Sequence, residues 1–255
     1  MHPSDHSNPE ISQNTTESQD SDRRIRSFIR RQGRLTVAQG RALDILWPVY
    51  GLNLDDNFDA TNAFGRDAPL VLEIGFGNGD SLADMAAAEP ESNFIGIEVH
   101  RPGVGHLLLK LDENGIGNVR VFCADAIEIL TRLIPDGSLD RLQLFFPDPW
   151  PKARHHKRRL IRPEVVQLIA TRLKPGGIVH CATDWAHYAL QMLAVLSAEA
   201  LLENTAGPVL LAEEIERAQG FALRPEHRPL TKFENRGLGL GHGVRDLVFR
   251  RRNNG

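Results

Sequence analysis

The strongest constraint on the fold is a regular alternation of short apolar runs with amphipathic segments, beginning at Pro69. Short β-branched runs are typical of buried strands, and the segments between them have helical periodicity. Strands joined by helices run parallel, so this alternation predicts a doubly wound α/β fold with helices on both faces of a mostly parallel sheet. The predicted strands are Leu70–Phe76, Asn93–Val99, Val119–Ala124, Leu139–Phe146 and Gly177–Thr183, with helices near 81–89, 103–113, 126–134, 164–173 and 186–203. A late alternating run, Val244–Arg251, predicts an antiparallel strand at or near a sheet edge.

The chain before this alternation has a different composition. Residues 1–22 hold five acidic side chains, no Lys or Arg and few apolar residues, which predicts a disordered acidic tail. Residues 23–68 are interpreted as a basic arm and a lead-in helix, predicted over Val37–Leu46 and ended by Pro48. The main globular domain is therefore expected over residues 69–252.

Composition narrows the class of protein. No run approaches the ~18 apolar residues of a membrane span, and the amino terminus lacks the features of a secretory signal. Two cysteines, Cys123 and Cys181, cannot form a disulfide framework, and their apolar neighbours indicate buried, reduced thiols. We expect a cytoplasmic protein without membrane contact, and nothing in the sequence indicates an obligate protein partner.

Basic side chains form two acid-free clusters, although the chain has a formal net charge of −3. Such clusters attract polyanions through phosphate contacts and counterion release. The alternative is a solvated helix face, and the clusters alone leave both interpretations open. The members are Arg23, Arg24, Arg26, Arg30, Arg31, Arg34 and Arg41 in the first cluster, and Lys152, Arg154, Lys157, Arg158, Arg159 and Arg162 in the second.

Ligands of parallel α/β sheets bind outside the carboxyl ends of the strands, so the residues at those ends matter most. The first strand runs into a turn containing Gly75, Gly77 and Gly79, where a ligand can approach the backbone closely. A dinucleotide loop needs two residues between its second and third glycines, and here there is one. Glu73, just before the glycines, would repel a pyrophosphate and suits a cationic ligand such as S-adenosylmethionine.

Two further acids end the next strands. Glu98 can accept hydrogen bonds from both ribose hydroxyls of an adenosine, and Asp125 can accept one from the adenine amino group. Either acid alone is more often a helix N-cap. Three acids at three successive strand ends, with the glycine turn, predict the cofactor site of a Class I methyltransferase.

The fourth strand leads into a proline-rich turn where the cofactor methyl group would face a substrate. Pro147 and Pro149 stiffen the turn, Trp150 can stack on a base, and Asp148 can accept hydrogen bonds from one. The alternative is a stiff loop with Trp150 buried as packing. His155 and His156 lack the spacing of a zinc site, so we interpret them as RNA contacts and predict no metal.

Two later segments offer substrate contacts. Asp184 follows the fifth strand, where it either caps the next helix or contacts substrate. In the segment Thr231–Glu234, Phe233 could stack on a base and Glu234 could hydrogen-bond a base edge, although composition alone leaves this segment as a surface loop.

Taken together, these residues resemble the bacterial tRNA (guanine-N7-)-methyltransferases, which modify a guanine in the tRNA variable loop (position 46 in standard tRNA numbering). The resemblance covers Ile25 to Arg250 and is most specific in the proline-tryptophan motif with its basic tract. The matching motifs are Ile25–Phe28, Arg30–Leu35, Leu72–Gly77, Gly96–His100, Phe146–Arg159 and Thr231–Glu234. It implies a seven-stranded, Rossmann-like Class I methyltransferase domain with S-adenosyl-L-methionine as cofactor and tRNA as partner.

The resemblance also implies roles for single residues. Glu73, Glu98, Asp125 and Asp148 would line the cofactor site with the glycine turn, and Asp148 would be catalytic. The target nucleotide would contact Lys152, Asp184, Thr231, Lys232, Phe233 and Glu234, and the RNA would contact Arg154, His155, His156, Lys157, Arg158 and Arg159. One departure is Arg245, which stands where the family often has Trp.

Two other functions stay open on the sequence. One is methylation of a different nucleophile, such as an exocyclic amine, although those enzymes usually have two consecutive prolines after the acid or amide, whereas Asp148 lies between two prolines. The other is a non-catalytic RNA-binding protein on the same fold, which the intact series of cofactor acids argues against.

Overall fold

The structure is a computed structural model, and it describes residues 33–54, 58–230, 234 and 243–253. The predicted acidic tail and most of the basic arm lie outside these residues. So do Thr231, Lys232 and Phe233.

Eight strands and eight α-helices form the described chain. The strands are β1 (Gly51–Leu52), β2 (Leu70–Ile74), β3 (Asn93–Ile97), β4 (Val119–Phe122), β5 (Leu139–Phe145), β6 (Leu173–Thr183), β7 (Leu202–Asn204) and β8 (Arg245–Arg251). The helices are α1 (Val37–Ile45), α2 (Trp47–Tyr50), α3 (Ala60–Phe64), α4 (Asp80–Ala88), α5 (Arg101–Glu113), α6 (Ala126–Arg132), α7 (Pro163–Arg172) and α8 (Ala186–Ala198), with a 3-10 helix at Ala153–Arg158.

All eight strands belong to one sheet in the order β1-β4-β3-β2-β5-β6-β8-β7. The pairs from β1 to β6 are parallel, whereas β8 runs antiparallel to both β6 and β7. This confirms the predicted doubly wound, mostly parallel α/β sheet with an antiparallel strand near its edge.

Three details differ from the predictions. The sheet has eight strands rather than seven, because two residues of the lead-in segment pair with Val121 and Phe122 of β4. The helix predicted to 203 ends at Ala198, and Leu202–Asn204 instead pairs with β8, where it covers an otherwise open strand edge. Pro48 does not end the lead-in helix: it stands in the first turn of α2, where its missing N–H costs no hydrogen bond.

Helices cover both faces of the sheet, each over its own hydrophobic cluster. On one face α1, α4 and α5 pack through residues such as Ala42, Leu82 and Leu107. On the other face α6, α7 and α8 pack through residues such as Ile129 and Ile169. Strands β2 and β3 are buried along their whole length, so the groups at their carboxyl ends are held on a rigid base.

Candidate active site

The glycine turn after β2 is held by its neighbours in the fold. Gly75, Gly77 and Gly79 all have positive φ, at 74°, 60° and 79°, which glycine adopts without strain. Helix α5 lies directly against the turn, because a Cβ added to Gly103 would stand 2.1 Å from the carbonyl oxygen of Gly77. This close contact fixes the turn at the entrance to α4.

Glu98, just beyond β3, ties the turn to the neighbouring strand end. Its Oε2 accepts a hydrogen bond from the Gly77 N–H (3.0 Å), and its Oε1 accepts from Val99 (2.7 Å) and His100 (2.9 Å). The half-buried carboxylate also lines a cleft of about 230 Å³ between the ends of β2, β3 and β5. The structure therefore places Glu98 where the sequence predicts a ligand contact.

Glu73 lies inside β2 and is 3% exposed. Burial raises the pKa of its carboxyl group to about 8, against the positive charge of Arg141, which lowers it. Among the described residues its Oε2 has no hydrogen-bond partner. It borders a second cavity together with the glycine turn, Phe145 and Phe146. A buried carboxyl group with an unsatisfied oxygen fits a ligand that brings an ammonium group.

Asp125 acts first as a helix cap. Its Oδ1 accepts hydrogen bonds from Ile127 (2.8 Å) and Glu128 (3.3 Å) at the start of α6. Its neighbours Ala124 and Ala126 line the cleft, which is otherwise largely apolar on this side. The predicted cofactor contact of Asp125 is thus untested, whereas the cap is present.

Asp148 stands at the mouth of the same cleft. The N–H of Phe146 donates to Ala182 (2.8 Å), so β5 stays paired with β6 up to the point where the proline turn begins. Phe146 then takes a positive φ of 50°, unusual for a residue with a side chain. Asp148 is exposed and lines the cleft with Phe146 and Pro147. No hydrogen bond or ion pair to Asp148 occurs within the described part of the chain.

Trp150 does not offer a face to a base, so its predicted stacking role is wrong. Its side chain is 8% exposed, with the Arg158 guanidinium 4.9 Å above the ring and the His155 ring edge-on at 5.8 Å. A positive φ of 44° at Trp150 turns the chain so that the indole packs inside the motif. The alternative of a stiff loop with a packed tryptophan is the correct one.

Arg159 is also not an RNA contact, which corrects a second prediction. The side chain is fully buried and stacks over Tyr188 at 4.7 Å. Its Nε donates to the carbonyl of Pro149 (2.8 Å), and Nη1 hydrogen-bonds Gln191 and His187. Arg159 therefore fastens the proline turn to α8.

Arg162 of the second basic cluster is half-buried and ion-paired with Glu164, whereas the members other than the buried Arg159 remain at the surface. Lys152, Arg154 and Lys157 are exposed around the 3-10 helix, and Arg158 is half-buried against Trp150. His155 and His156 are half-buried, and His156 lies against His187 with 5.0 Å between ring centroids. This surface begins four residues after Asp148, the last residue of the proline turn that lines the cleft.

Asp184 is half-buried directly after β6. The N-cap position of α8 is Trp185, and no side chain caps that helix. The interpretation of Asp184 as a helix cap is therefore wrong, and its substrate contact stays a prediction.

Glu234 belongs to a buried polar network that the sequence analysis missed. Its carboxylate accepts two hydrogen bonds from Arg228, and Arg228 also donates to Asp246 of β8. Asp246 in turn contacts His180 of β6. One signal was present in the sequence: His180 interrupts the apolar run Ile178–Ala182, and Asp246 directly precedes the apolar run Leu247–Phe249.

Some site types are not found in the part of the chain that the structure describes. There, no three His, Cys, Asp or Glu side chains come together as metal ligands. Within the same ranges, no helix has the length and apolarity that crossing a membrane requires.

The sequence is similar to those of known methyltransferases. A family model described as "Putative methyltransferase" matches residues 67–247. A protein of Alkalilimnicola ehrlichii named tRNA (guanine-N(7)-)-methyltransferase is 58% identical over 233 residues, 90% of this chain and 94% of its own. A protein of the same name from Alcanivorax borkumensis is 54% identical over 231 residues, 90% of this chain and 92% of its own.

Solved structures share the fold. The crystal structure of the 16S rRNA methyltransferase KamB superposes with a TM-score of 0.54 at 17% identity, covering 80% of this chain and 99% of that one. At this identity the likeness supports the sheet architecture alone.

Proposed function

Because this chain belongs to the tRNA (guanine-N7-)-methyltransferase family, we propose that it transfers the methyl group of S-adenosylmethionine to N7 of a guanine in tRNA. The product is 7-methylguanosine, and the proposed target is the variable-loop guanine at position 46, in the cytoplasm. The observation that carries the proposal is the cleft at the strand ends, which Glu98 and Asp148 line together beside the buried carboxyl group of Glu73.

The residues in and around the cleft and the adjoining cavity, which share Gly75, Phe145 and Phe146, fit the cofactor. Glu73, with its unsatisfied Oε2, would hold the ammonium group, and Glu98 would accept hydrogen bonds from the ribose hydroxyls. The apolar wall near Ile97 and Leu144 would take the adenine ring, and Asp125 would accept from its amino group. The open backbone of Gly75 and Gly77 leaves room for close approach, since an added Cβ would meet nothing within 4 Å. S-adenosylmethionine supplies an electrophilic methyl group on a sulfonium.

The acceptor atom requires little acid–base chemistry. Guanine N7 has an in-plane lone pair and no proton to lose, so the protein needs no strong general base. Holding N7 in line with the reacting bond can supply several kcal/mol, within the ~7–11 kcal/mol that positioning can contribute. The methylated base is cationic, and nearby carboxylates stabilise the charge that develops on it.

Asp148 is the residue that we assign to the guanine. Its exposed carboxylate at the cleft mouth can accept hydrogen bonds from guanine N1–H and N2–H, which leaves N7 directed towards the cofactor. Adenine lacks this pair of donors, so the same contact selects guanine. Lys152 and Asp184 would contact the same nucleotide, and Thr231, Lys232 and Phe233 are proposed to do so from outside the described residues.

The basic surface around the 3-10 helix would bind the tRNA backbone. Lys152, Arg154 and Lys157 are exposed to solvent in the chain that follows Asp148, and the half-buried Arg158, His155 and His156 extend the surface. Phosphate contacts of this kind position a nucleic acid without reading its sequence.

An Asp148→Asn variant tests the assignment. The amide keeps the size of the side chain but cannot accept both guanine donors and carries no charge, so turnover should fall by about 100-fold or more. Affinity for tRNA should stay within about twofold, because the basic surface is unchanged. The measurements are single-turnover methylation with labelled cofactor and equilibrium tRNA binding.

Asp67→Asn serves as the matched control, because Asp67 is an exposed acid that precedes β2 and lies outside the cleft. Loss of tRNA binding with unchanged single-turnover chemistry in Asp148→Asn would contradict the assigned role.

A further inference from the structure

Trp185 is the only exposed Phe, Tyr or Trp side chain in the part of the chain that the structure describes. Its side chain is 41% exposed, whereas Trp150 and Phe145 are each 8% exposed. An indole in this state leaves a large apolar surface in water, and its flat face is of the kind on which a nucleobase stacks. The stacking surface that Trp150 does not offer is therefore present at Trp185.

The backbone of Trp185 is fixed at the start of α8. Its N–H donates to Thr183 Oγ1 (3.2 Å), and its carbonyl accepts from the N–H groups of Tyr188 and Ala189 (2.9 Å each). Both of these α8 residues are fully buried, so this end of the helix is anchored in the core. A ring with two side-chain torsions on a rigid base loses little conformational freedom when a ligand stacks on it.

This end of α8 lies beside the turn that carries Asp148. Strands β5 and β6 are paired up to their carboxyl ends, where Ala182 pairs with Phe145 and accepts from the N–H of Phe146 at 2.8 Å. Asp148 follows Phe146 by two residues, and Trp185 follows Ala182 by three. Trp185 lines neither the cleft nor the adjoining cavity. It therefore stands outside the cleft that Asp148 lines, at the end of the neighbouring strand.

The first turn of α8 also contacts the basic 3-10 helix. The His187 ring lies 5.0 Å from the His156 ring, measured between centroids, and His187 Nδ1 is 3.1 Å from Arg159 Nη1. Arg159 in turn donates to the Pro149 carbonyl of the proline turn. A nucleic acid that lies on the basic surface and places one base in the cleft therefore passes the start of α8.

We propose that the exposed indole of Trp185 stacks on the tRNA base that neighbours the target guanosine. The target base itself must enter the cleft to reach the reacting bond, and Trp185 lies outside the cleft. Bases of single-stranded loops are commonly bound by stacking on aromatic side chains. The inference rests on the proposed function, to which it adds a substrate contact.

Trp185→Leu tests the stacking, because leucine keeps an apolar side chain but removes the flat ring. Affinity for tRNA should fall by about 5- to 150-fold, which corresponds to the loss of one stacked base. The slope of log Kobs against log salt should stay unchanged, because no charge is removed. Trp185→Phe restores a flat ring and should bind tRNA within about threefold of wild type. Equilibrium tRNA binding over a range of salt concentrations measures both variants.

Val49→Ala is the matched control. Val49 is an exposed apolar side chain of α2, beside β1 at the far edge of the sheet, five strands from β6. Its truncation should leave tRNA affinity unchanged. Fluorescence gives an independent measurement: tRNA binding should quench the tryptophan emission of wild type, and Trp185→Phe should remove most of this quenching.

Transcripts with one abasic residue identify the stacked base. One lacks the base on the 5′ side of the target guanosine, one lacks the base on the 3′ side, and one lacks the target base itself. One of the two neighbour transcripts should bind wild type more weakly, by about the factor that Trp185→Leu loses on intact tRNA. On that transcript Trp185→Leu should lose little further affinity, because the two changes remove the same contact.

The outcomes separate the inference from the proposed function. Full tRNA affinity of Trp185→Leu, or equal losses in Trp185→Leu and Trp185→Phe, would overturn the inference. So would losses that multiply on both neighbour transcripts, or coupling of Trp185 to the target base alone. Formation of 7-methylguanosine by wild type would leave the proposed function intact in all these cases. Absence of 7-methylguanosine would contradict the proposed function itself, and the inference with it.

Discussion

Glu73 is the residue with the strongest electrostatic conflict at the proposed cofactor site. Its carboxyl group is 3% exposed, one oxygen has no hydrogen-bond partner in the described chain, and burial raises its pKa to about 8. A cationic ligand removes this conflict, because its ammonium group supplies both the missing hydrogen bond and the opposite charge. If Glu73 holds the ammonium group as proposed, cofactor binding is linked to the protonation state of its carboxyl group.

This linkage predicts a pH dependence of stability. Between the usual pKa of 4.5 and the folded value of about 8, the folded protein binds one more proton at Glu73 than the unfolded chain does. The contribution of Glu73 to the unfolding free energy should therefore fall by about 1.4 kcal/mol per pH unit across this window. Glu73→Gln removes the titrating group, so the variant should be more stable relative to wild type at pH 8 than at pH 5. Denaturant unfolding at the two pH values measures the difference.

The same variant should bind S-adenosylhomocysteine, which keeps the ammonium group, at least about tenfold more weakly. Calorimetry in two buffers of different ionisation enthalpy should show proton release on binding to wild type below pH 8 and less in the variant.

The stability prediction has its own contradicting result. If the unfolding free energy has the same pH slope in wild type and in Glu73→Gln, the pKa of Glu73 is not raised.

At the scale of elements, the proline turn and its 3-10 helix separate the basic side chains of one cluster into a buried one and several exposed ones. Arg159 points inward to Pro149, Tyr188 and α8, which fixes the 3-10 helix. The preceding residues Lys152, Arg154 and Lys157 are then exposed on its outer side. The buried Arg159 thus has a structural role, whereas the exposed cations are available to the proposed tRNA.

This division predicts different effects of neighbouring charges on tRNA binding. Arg154→Gln with Lys157→Gln should reduce the slope of log Kobs against log salt by about 1 to 2, since each phosphate contact contributes about 0.7 to 0.9. Arg159→Gln should leave that slope unchanged and lower the melting temperature, because it leaves buried partners unpaired. Salt titrations of tRNA binding and thermal unfolding separate the two effects. An unchanged slope in the double variant would contradict the phosphate contacts.

The contact between α5 and the glycine turn predicts that an uncharged substitution in α5 weakens ligand binding at the turn. In Gly103→Ala the new Cβ would stand 2.1 Å from the Gly77 carbonyl, so the turn or the helix must move, at a cost of about 1–3 kcal/mol. Weaker S-adenosylhomocysteine binding should follow, as measured by calorimetry. Gly117→Ala is the control, because an added Cβ there meets nothing within 4 Å. Equal affinities in the two variants would show that the turn does not depend on α5.

For the whole molecule, the sheet and the acidic residues at its strand ends could be predicted from the sequence. They follow from local hydrophobic patterns and from the rule that strands joined by helices run parallel. Apolar runs define β2 to β6, and parallel pairing brings Glu73, Glu98 and Asp148 to one edge. The burial of Arg159 and Trp150 could not be decided from the sequence. Arg159 is buried against α8, and Trp150 is buried because Phe146 and Trp150 have positive φ values that no local motif indicates. The Arg228 network joins residues up to 66 positions apart, so only the folded sheet reveals it.

The central claim is tested most directly by the product of the whole reaction. The full chain would be incubated with S-adenosylmethionine and tRNA that lacks 7-methylguanosine, and the nucleosides separated by chromatography that resolves the methylguanosine isomers before mass spectrometry. We expect 7-methylguanosine to appear, and to be absent when the target guanine is replaced by adenine. Formation of a different methylated nucleoside, or no methylation by protein shown to bind the cofactor, would contradict the account.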